Sequence, residues 1–261
     1  MKDYGKVPYE LEMVNLGSTF SKFGFNYNYF EKKGFNFAVA PQPLKVDYEV
    51  LEKYQDHIKE GAVVAVVICP FGFSRYEYET VKIPFPRHCI NWGKRMVKKI
   101  LGQERIAAYR RRRQPPLSIK ELAAANAMKM VNGWKAEFSL DNTTTQKPTP
   151  ELEKTFAKTR GELTKILNLC RERHFRPVII NMPVVAEENG QFSDDFLRLF
   201  YDDNIKRVDT YGVPVLDYFR DKRFNDAALY ENCADCLNDK GRRLFAGVLT
   251  EDLKKYGLWE N

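Results

Sequence analysis

The run AVVAVVIC, residues 62 to 69, does most to limit what this chain can fold into. It is apolar throughout and rich in β-branched residues, too short to span a bilayer, and has no polar face to turn toward water. A strand of this kind is buried on both faces. Sheets covered on both faces belong to α/β proteins with parallel strands.

The rest of the chain repeats that theme. LEMVNLG, 11 to 17, predicts a first strand, and FNFAVA, 35 to 40, a second, ended by Pro41 and Pro43. Between Asp47 and Glu60 the residues Val50, Leu51, Tyr54 and His57/Ile58 recur at helical spacing, and Gly61 reads as the stop. Later come a helical pattern from Pro150 to about Arg173, a strand RPVIINMPV at 176 to 184, and a helix over about 192 to 211. A strand VPVLDYF at 213 to 219 and a last helix from Asp239 to Lys255 complete the pattern. Strands alternating with helices predict a parallel sheet with helices on both faces.

Residues 75 to 149 break the alternation with basic and polar text, including QPPLS at 114 to 118 and DNTTTQKPTP at 141 to 150. They read as a helical insertion after strand three, ending where Thr149-Pro150 can start the next helix. One domain spanning 1 to 261 with that insertion is the expected organisation.

Composition excludes several classes. With 44% hydrophobic and 30% charged residues the chain is not disordered. The formal charge of +7 gathers around Arg105 and Arg110 to Arg113, which reads as a solvated basic face, since no nucleic-acid signature accompanies it and no specific nucleic-acid partner is expected. The first fifteen residues carry Lys2, Asp3, Lys6, Glu10 and Glu12 and do not form a signal peptide. The expectation is a cytoplasmic protein, or an envelope-associated one if an anchor has been removed, with no transmembrane segment in this chain. Five cysteines, Cys69, Cys89, Cys170, Cys233 and Cys236, suit a reducing compartment. Cys233-Ala-Asp-Cys236 has metal-like spacing but lacks a second pair, so neither a metal nor a cofactor is expected.

In an open parallel sheet, ligands collect beyond the carboxyl ends of the strands. Ser18 lies just past the first strand, where Gly17 permits a tight turn and a following helix offers free N–H groups to an oxyanion. The same position suits a helix N-cap, so Ser18 is either a nucleophile or a cap.

The blocks VNLGSTFSKFGF, FNFAVAPQPL, AVVAVVICPFGF, RPVIINMPV and ENCADCLNDKGRRLF together resemble the SGNH or GDSL hydrolase superfamily. Within it the chain is similar to bacterial envelope-associated members such as the D-alanine transfer protein and polysaccharide O-acetyl esterases and transferases. The resemblance implies a three-layer α/β/α sandwich with about five parallel strands in the flavodoxin-like order 2-1-3-4-5. It also implies a serine esterase or O-acyltransferase acting on a small-molecule or polysaccharide acyl ester, with Ser18 as nucleophile. Oxyanion and binding roles would fall to Gly17, Gln42, Gly72 and Asn238.

The chain departs from the family where the proton is handled. Reading back from Leu237-Asn238, the family's Asp-x-x-His is replaced by Cys233 and Cys236. A serine hydroxyl without a base is a weak nucleophile, and a thiol with a pKa of about 8.5 is a poor proton shuttle. His88 in FPRHCINW and Asp235 are the candidate relocated bases; His57 and His174 read as surface or packing residues. The alternative function is a catalytically impaired accessory protein that binds glycan or acyl chains. Phe20, Phe23, Phe25, Tyr27, Phe71 and Phe73 would then line the cleft.

Overall fold

The computed structural model describes residues 4–40, 42–74, 147–190, 192–208, 210, 212–231 and 236–259, together with helical positions 121, 125, 128 and 132. Five parallel strands form one sheet: β1 (Leu11–Leu16), β2 (Gly34–Asn36), β3 (Ile58–Val67), β4 (Arg176–Asn181) and β5 (Val215–Asp217). Their order is β2-β1-β3-β4-β5, the arrangement expected, and β3 is its centre. Beyond Met13 the register runs straight across it, with Val14 opposite Val64, Val64 opposite Pro177 and Ile180 opposite Leu216.

The apolar run of β3 explains the two layers of helices. Successive side chains point to opposite faces, so Val64 and Val66 enter one core while Val63, Ala65 and Val67 enter the other. The first core is closed by α2 (Leu44–Tyr54), α3 (Pro150–Glu172) and the residues Phe192, Phe196 and Phe200. The second is closed by Phe25, Phe224 and Phe245, the last carried by the final helix (Asp239–Lys255). Among the described residues no helix is long and apolar enough to cross a membrane.

Helix boundaries follow local chemistry. Thr149 accepts the Leu152 N–H at 3.2 Å and Pro150 occupies the first helical position, so α3 starts where the Thr-Pro pair was expected to start it. Gly61 corrects the sequence reading. The helix ends at Tyr54 and a 3₁₀ turn, Gln55–His57, leads straight into β3. Gly61 therefore sits inside the strand, at φ +77°, with its N–H on His174 O at 2.9 Å. It serves an irregularity at which the β1–β3 register shifts between Leu11 and Met13. The second strand is also shorter than FNFAVA, although Phe37 N and Val39 N still bond Asn15 O and Gly17 O at 3.0 and 3.2 Å.

After β4 comes a short α4 (Ala186–Asn189), and the helix expected over about 192 to 211 runs without a break through α5 (Asp194–Leu197), a π-helical turn (Arg198–Asp202) and α6 (Asp203–Lys206). The wider turn leaves carbonyls without their α-helical partners. Asn204 Nδ2 reaches Leu199 O and Phe200 O at 3.3 and 3.1 Å, and Arg160 holds Asn204 Oδ1 at 2.5 Å. The final helix is α7.

Candidate active site at the end of the first strand

β1 ends in a buried polar cluster that anchors the neighbouring segments. Asn15 is fully buried; its Nδ2 donates to Ser21 Oγ at 2.8 Å and Asn36 Oδ1 at 2.9 Å, and its Oδ1 accepts the Tyr27 hydroxyl at 2.9 Å. Ser21 in turn donates to Leu16 O at 2.6 Å. Four side chains are thereby satisfied without water, which pins α1 (Thr19–Gly24) and β2 to the carboxyl end of β1.

Gly17 makes the turn between β1 and α1 at φ +117°. A Cβ there would lie 2.7 Å from Val67 O, in the centre of the sheet. Ser18 comes next, half-buried at the N-cap position of α1. Its side chain makes no capping hydrogen bond; only its carbonyl serves the helix, accepting Lys22 N–H at 2.9 Å. The hydroxyl oxygen instead accepts the backbone N–H of Gln42 at 3.1 Å. Of the two roles open to Ser18, capping is thus not the one its side chain performs.

Beneath this turn lies Asp47, almost wholly buried on α2. Its Oδ1 accepts Gly17 N–H at 2.7 Å and also the Gln42 side-chain amide. Burial pushes the carboxyl up to about 7, against the opposing pull of the Gln42 and Gly17 donors. One carboxylate therefore ties together both chain segments that meet at Ser18 Oγ. Sequence reasoning took Asp47 only as the start of a helical pattern. An aspartate in the first turn of a helix ordinarily faces solvent, and nothing local marks this one as buried.

The remaining site residues divide by what their groups already bond. Gln42 commits its side-chain amide to Asp47, so the group near Ser18 is its backbone N–H and not the side chain. Gly72 N–H is used in a 3₁₀ turn on Cys69 O at 2.8 Å. Asn238 caps α7: its Oδ1 accepts Gly241 N–H at 3.0 Å, and its Nδ2 donates to Ala228 O at 2.8 Å and Tyr230 O at 3.0 Å. Replacing Asn238 by alanine removes the cap and strands two carbonyls, with an expected loss of about 2 kcal/mol read from urea unfolding midpoints.

Cys236 stands just before that cap, buried at 4% exposure, with its carbonyl accepting Glu231 N–H at 2.7 Å. Arg242 links this loop to the serine-bearing helix, reaching Leu237 O at 3.0 Å and Phe23 O at 3.5 Å. Cys233, Asp235 and His88 lie outside the described residues. His57 bonds Val7 O at 3.1 Å and stacks on Tyr9, and His174 lies between α3 and β4, on the amino side of the sheet. The aromatic cleft expected from sequence dissolves in part. Phe71 and Phe73 belong to one core and Phe25 to the other, because each lies where a strand-end loop turns back over the sheet. Phe23, 38% exposed, is the one most open to solvent.

No family model matches the chain, and no curated protein matches it by sequence. Among solved structures it is similar to the psychrotrophic esterase EstA from Pseudoalteromonas sp., in a structure inhibited by monoethylphosphonate. That likeness has a TM-score of 0.44 and 8% identity, over 94% of this chain and 98% of that one.

Proposed function

We propose that the chain is an SGNH-type hydrolase in which Ser18 takes the acyl group of an O-acyl ester, an acetyl group on a carbohydrate being the substrate class the sequence resemblance favours. The single observation behind this reading is that the Ser18 hydroxyl, although placed at an N-cap, is not spent on capping and meets a backbone N–H from the loop after β2. In the reaction Ser18 Oγ bonds to the acyl carbon and the ester C–O bond breaks. The hydroxyl proton passes through a base to the leaving alkoxide, and water or a sugar hydroxyl then takes the acyl group from serine. Negative charge on the carbonyl oxygen is met by backbone donors near Ser18.

The second reading, an accessory protein that binds the ester without turning it over, draws on the buried thiol of Cys236 at the position where the family carries imidazole. One experiment separates the two. The protein is incubated with a serine-directed fluorophosphonate and a chromogenic acetyl ester, beside Ser18→Ala. Labelling at Ser18 and ester turnover, both lost in the variant, are expected of the enzyme; absence of both leaves only the binding role. Under the binding reading, Cys233→Asp with Cys236→His is expected to gain esterase activity that Ser18→Ala abolishes, and more than Cys236→His alone, since the aspartate orients the imidazole.

A further inference from the structure

Two strands along the same carboxyl edge from Ser18, roughly 10 Å at the spacing of sheet strands, there is a separate pocket of about 260 Å³. It is lined by Asn181 at the end of β4, Asp217 at the end of β5, Asp194 and Leu197 of α5, Tyr201 and Asp202 of the π-helical turn, and Arg220. A straight α-helix through 198–202 would set Tyr201 and Asp202 at different angles, so the π turn shapes this wall. Such turns are frequent at functional sites.

The polar groups here are incompletely used. Tyr201 is 3% exposed and Asn181 is 2% exposed, yet neither the Tyr201 hydroxyl nor Asn181 Oδ1 has a hydrogen-bond partner among the described residues. Leaving such groups unmatched in a buried site costs free energy, and both line the pocket. Asn181 Oδ1 can only accept. Its Nδ2 is already given to Asp217 Oδ1, at 3.0 Å, and that oxygen also accepts Phe219 N–H at 3.0 Å.

Charge in the pocket points the same way. Arg220 is engaged by Asp194 and by Phe192 O, so the guanidinium is turned to the loop that precedes α5. Asp202 and Asp217 are the carboxylates left on the wall, offset only at longer range, by Arg220 beside Asp217 and by Lys206 and Arg198 beside Asp202. Burial pushes both carboxyls above the usual carboxylate range, and the charge of Asp217 raises Asp202 further. An incoming cation relieves that repulsion, whereas an anion or a neutral acceptor adds to it.

We propose that this pocket binds a small primary organic ammonium ion, its three N–H groups shared among Asn181 Oδ1, the Tyr201 hydroxyl oxygen and the carboxylates of Asp202 and Asp217, with its alkyl part against Leu197. The site is independent of the chemistry assigned to Ser18. Its volume suits a molecule of several heavy atoms, larger than a bare metal ion.

The test is calorimetric titration of the whole chain with n-pentylammonium chloride, against 1-pentanol as the neutral isostere, at matched ionic strength. Saturable one-site binding of the ammonium with a Kd on the order of millimolar is expected, with pentanol at least about tenfold weaker. Tyr201→Phe removes only a hydroxyl that is unpartnered among the described residues. The variant is expected to weaken ammonium binding about tenfold while raising Tm without ligand by about 2 to 4 °C. Absence of saturable binding, equal binding of pentanol, or unchanged affinity in Tyr201→Phe overturns the proposal.

Discussion

Gly17→Val will lower the unfolding free energy by about 4 kcal/mol, combining backbone strain with overpacking. The residue turns at φ +117°, which L side chains rarely adopt, and a Cβ would sit 2.7 Å from Val67 O and 3.1 Å from both Val67 Cβ and Ser21 Cβ. None of these atoms can yield cheaply. Val67 is in the central strand and Ser21 is held by Asn15 and Leu16 O. Alanine, with the first methyl group only, should lose about half as much. Urea unfolding of parent and both variants reads the effect; an alanine variant within about 0.5 kcal/mol of the parent would show that the strand end is not built this tightly. Because the same shift pulls Gly17 N–H from Asp47, both variants should also lose fluorophosphonate labelling at Ser18.

The second large effect is one of pH. The Asp47 carboxyl holds its proton up to about 7 in the folded protein, whereas in the unfolded chain it loses it near 4. Between those values the folded state binds the extra proton, so stability falls as pH rises. The contribution is fully present below about pH 4 and is lost through pH 7, a swing of roughly 4 kcal/mol for a shift of this size. Asp202 and Asp217 are also shifted upward and act in the same sense above pH 4, whereas Asp221 and Asp252, shifted downward, act only at lower pH, so the measurement is a difference. Asp47→Asn keeps an acceptor for Gly17 N–H and for the Gln42 amide but cannot ionise. Relative to the parent, the variant should gain roughly 3 kcal/mol between pH 5 and pH 8. Parallel stability curves for the two proteins would mean that Asp47 does not retain its proton.

Much of the architecture was legible because burial on two faces leaves no alternative to β3 as a central parallel strand, and because Thr149-Pro150 is an explicit helix signal. Ser18 was placed correctly at a strand end, but its use was not legible, since an N-cap serine and a presented serine share one sequence pattern. What shows that the side chain is not the cap is where its oxygen bonds, at the N–H of Gln42, twenty-four residues away. The same holds for Asp47, whose burial depends on Gly17 and Gln42 arriving from elsewhere. Gly61 misled because glycine ends helices and bends strands with equal ease. The π turn at 198–202 left no periodic mark, since five residues are too few to shift an apolar pattern.

The sheet grades from a ten-residue strand at its centre to three-residue strands at either rim. A rim that short presents only about 10 Å of open hydrogen-bonding ladder, too little for a neighbouring chain to add a stable strand. The most aggregation-prone text in the protein, the apolar run of β3, is enclosed between β1 and β4 and becomes a template only when the whole domain opens. Resistance to fibrous association should therefore follow global stability closely, so that substitutions at Gly17, which ends an interior strand, will govern how readily this protein aggregates.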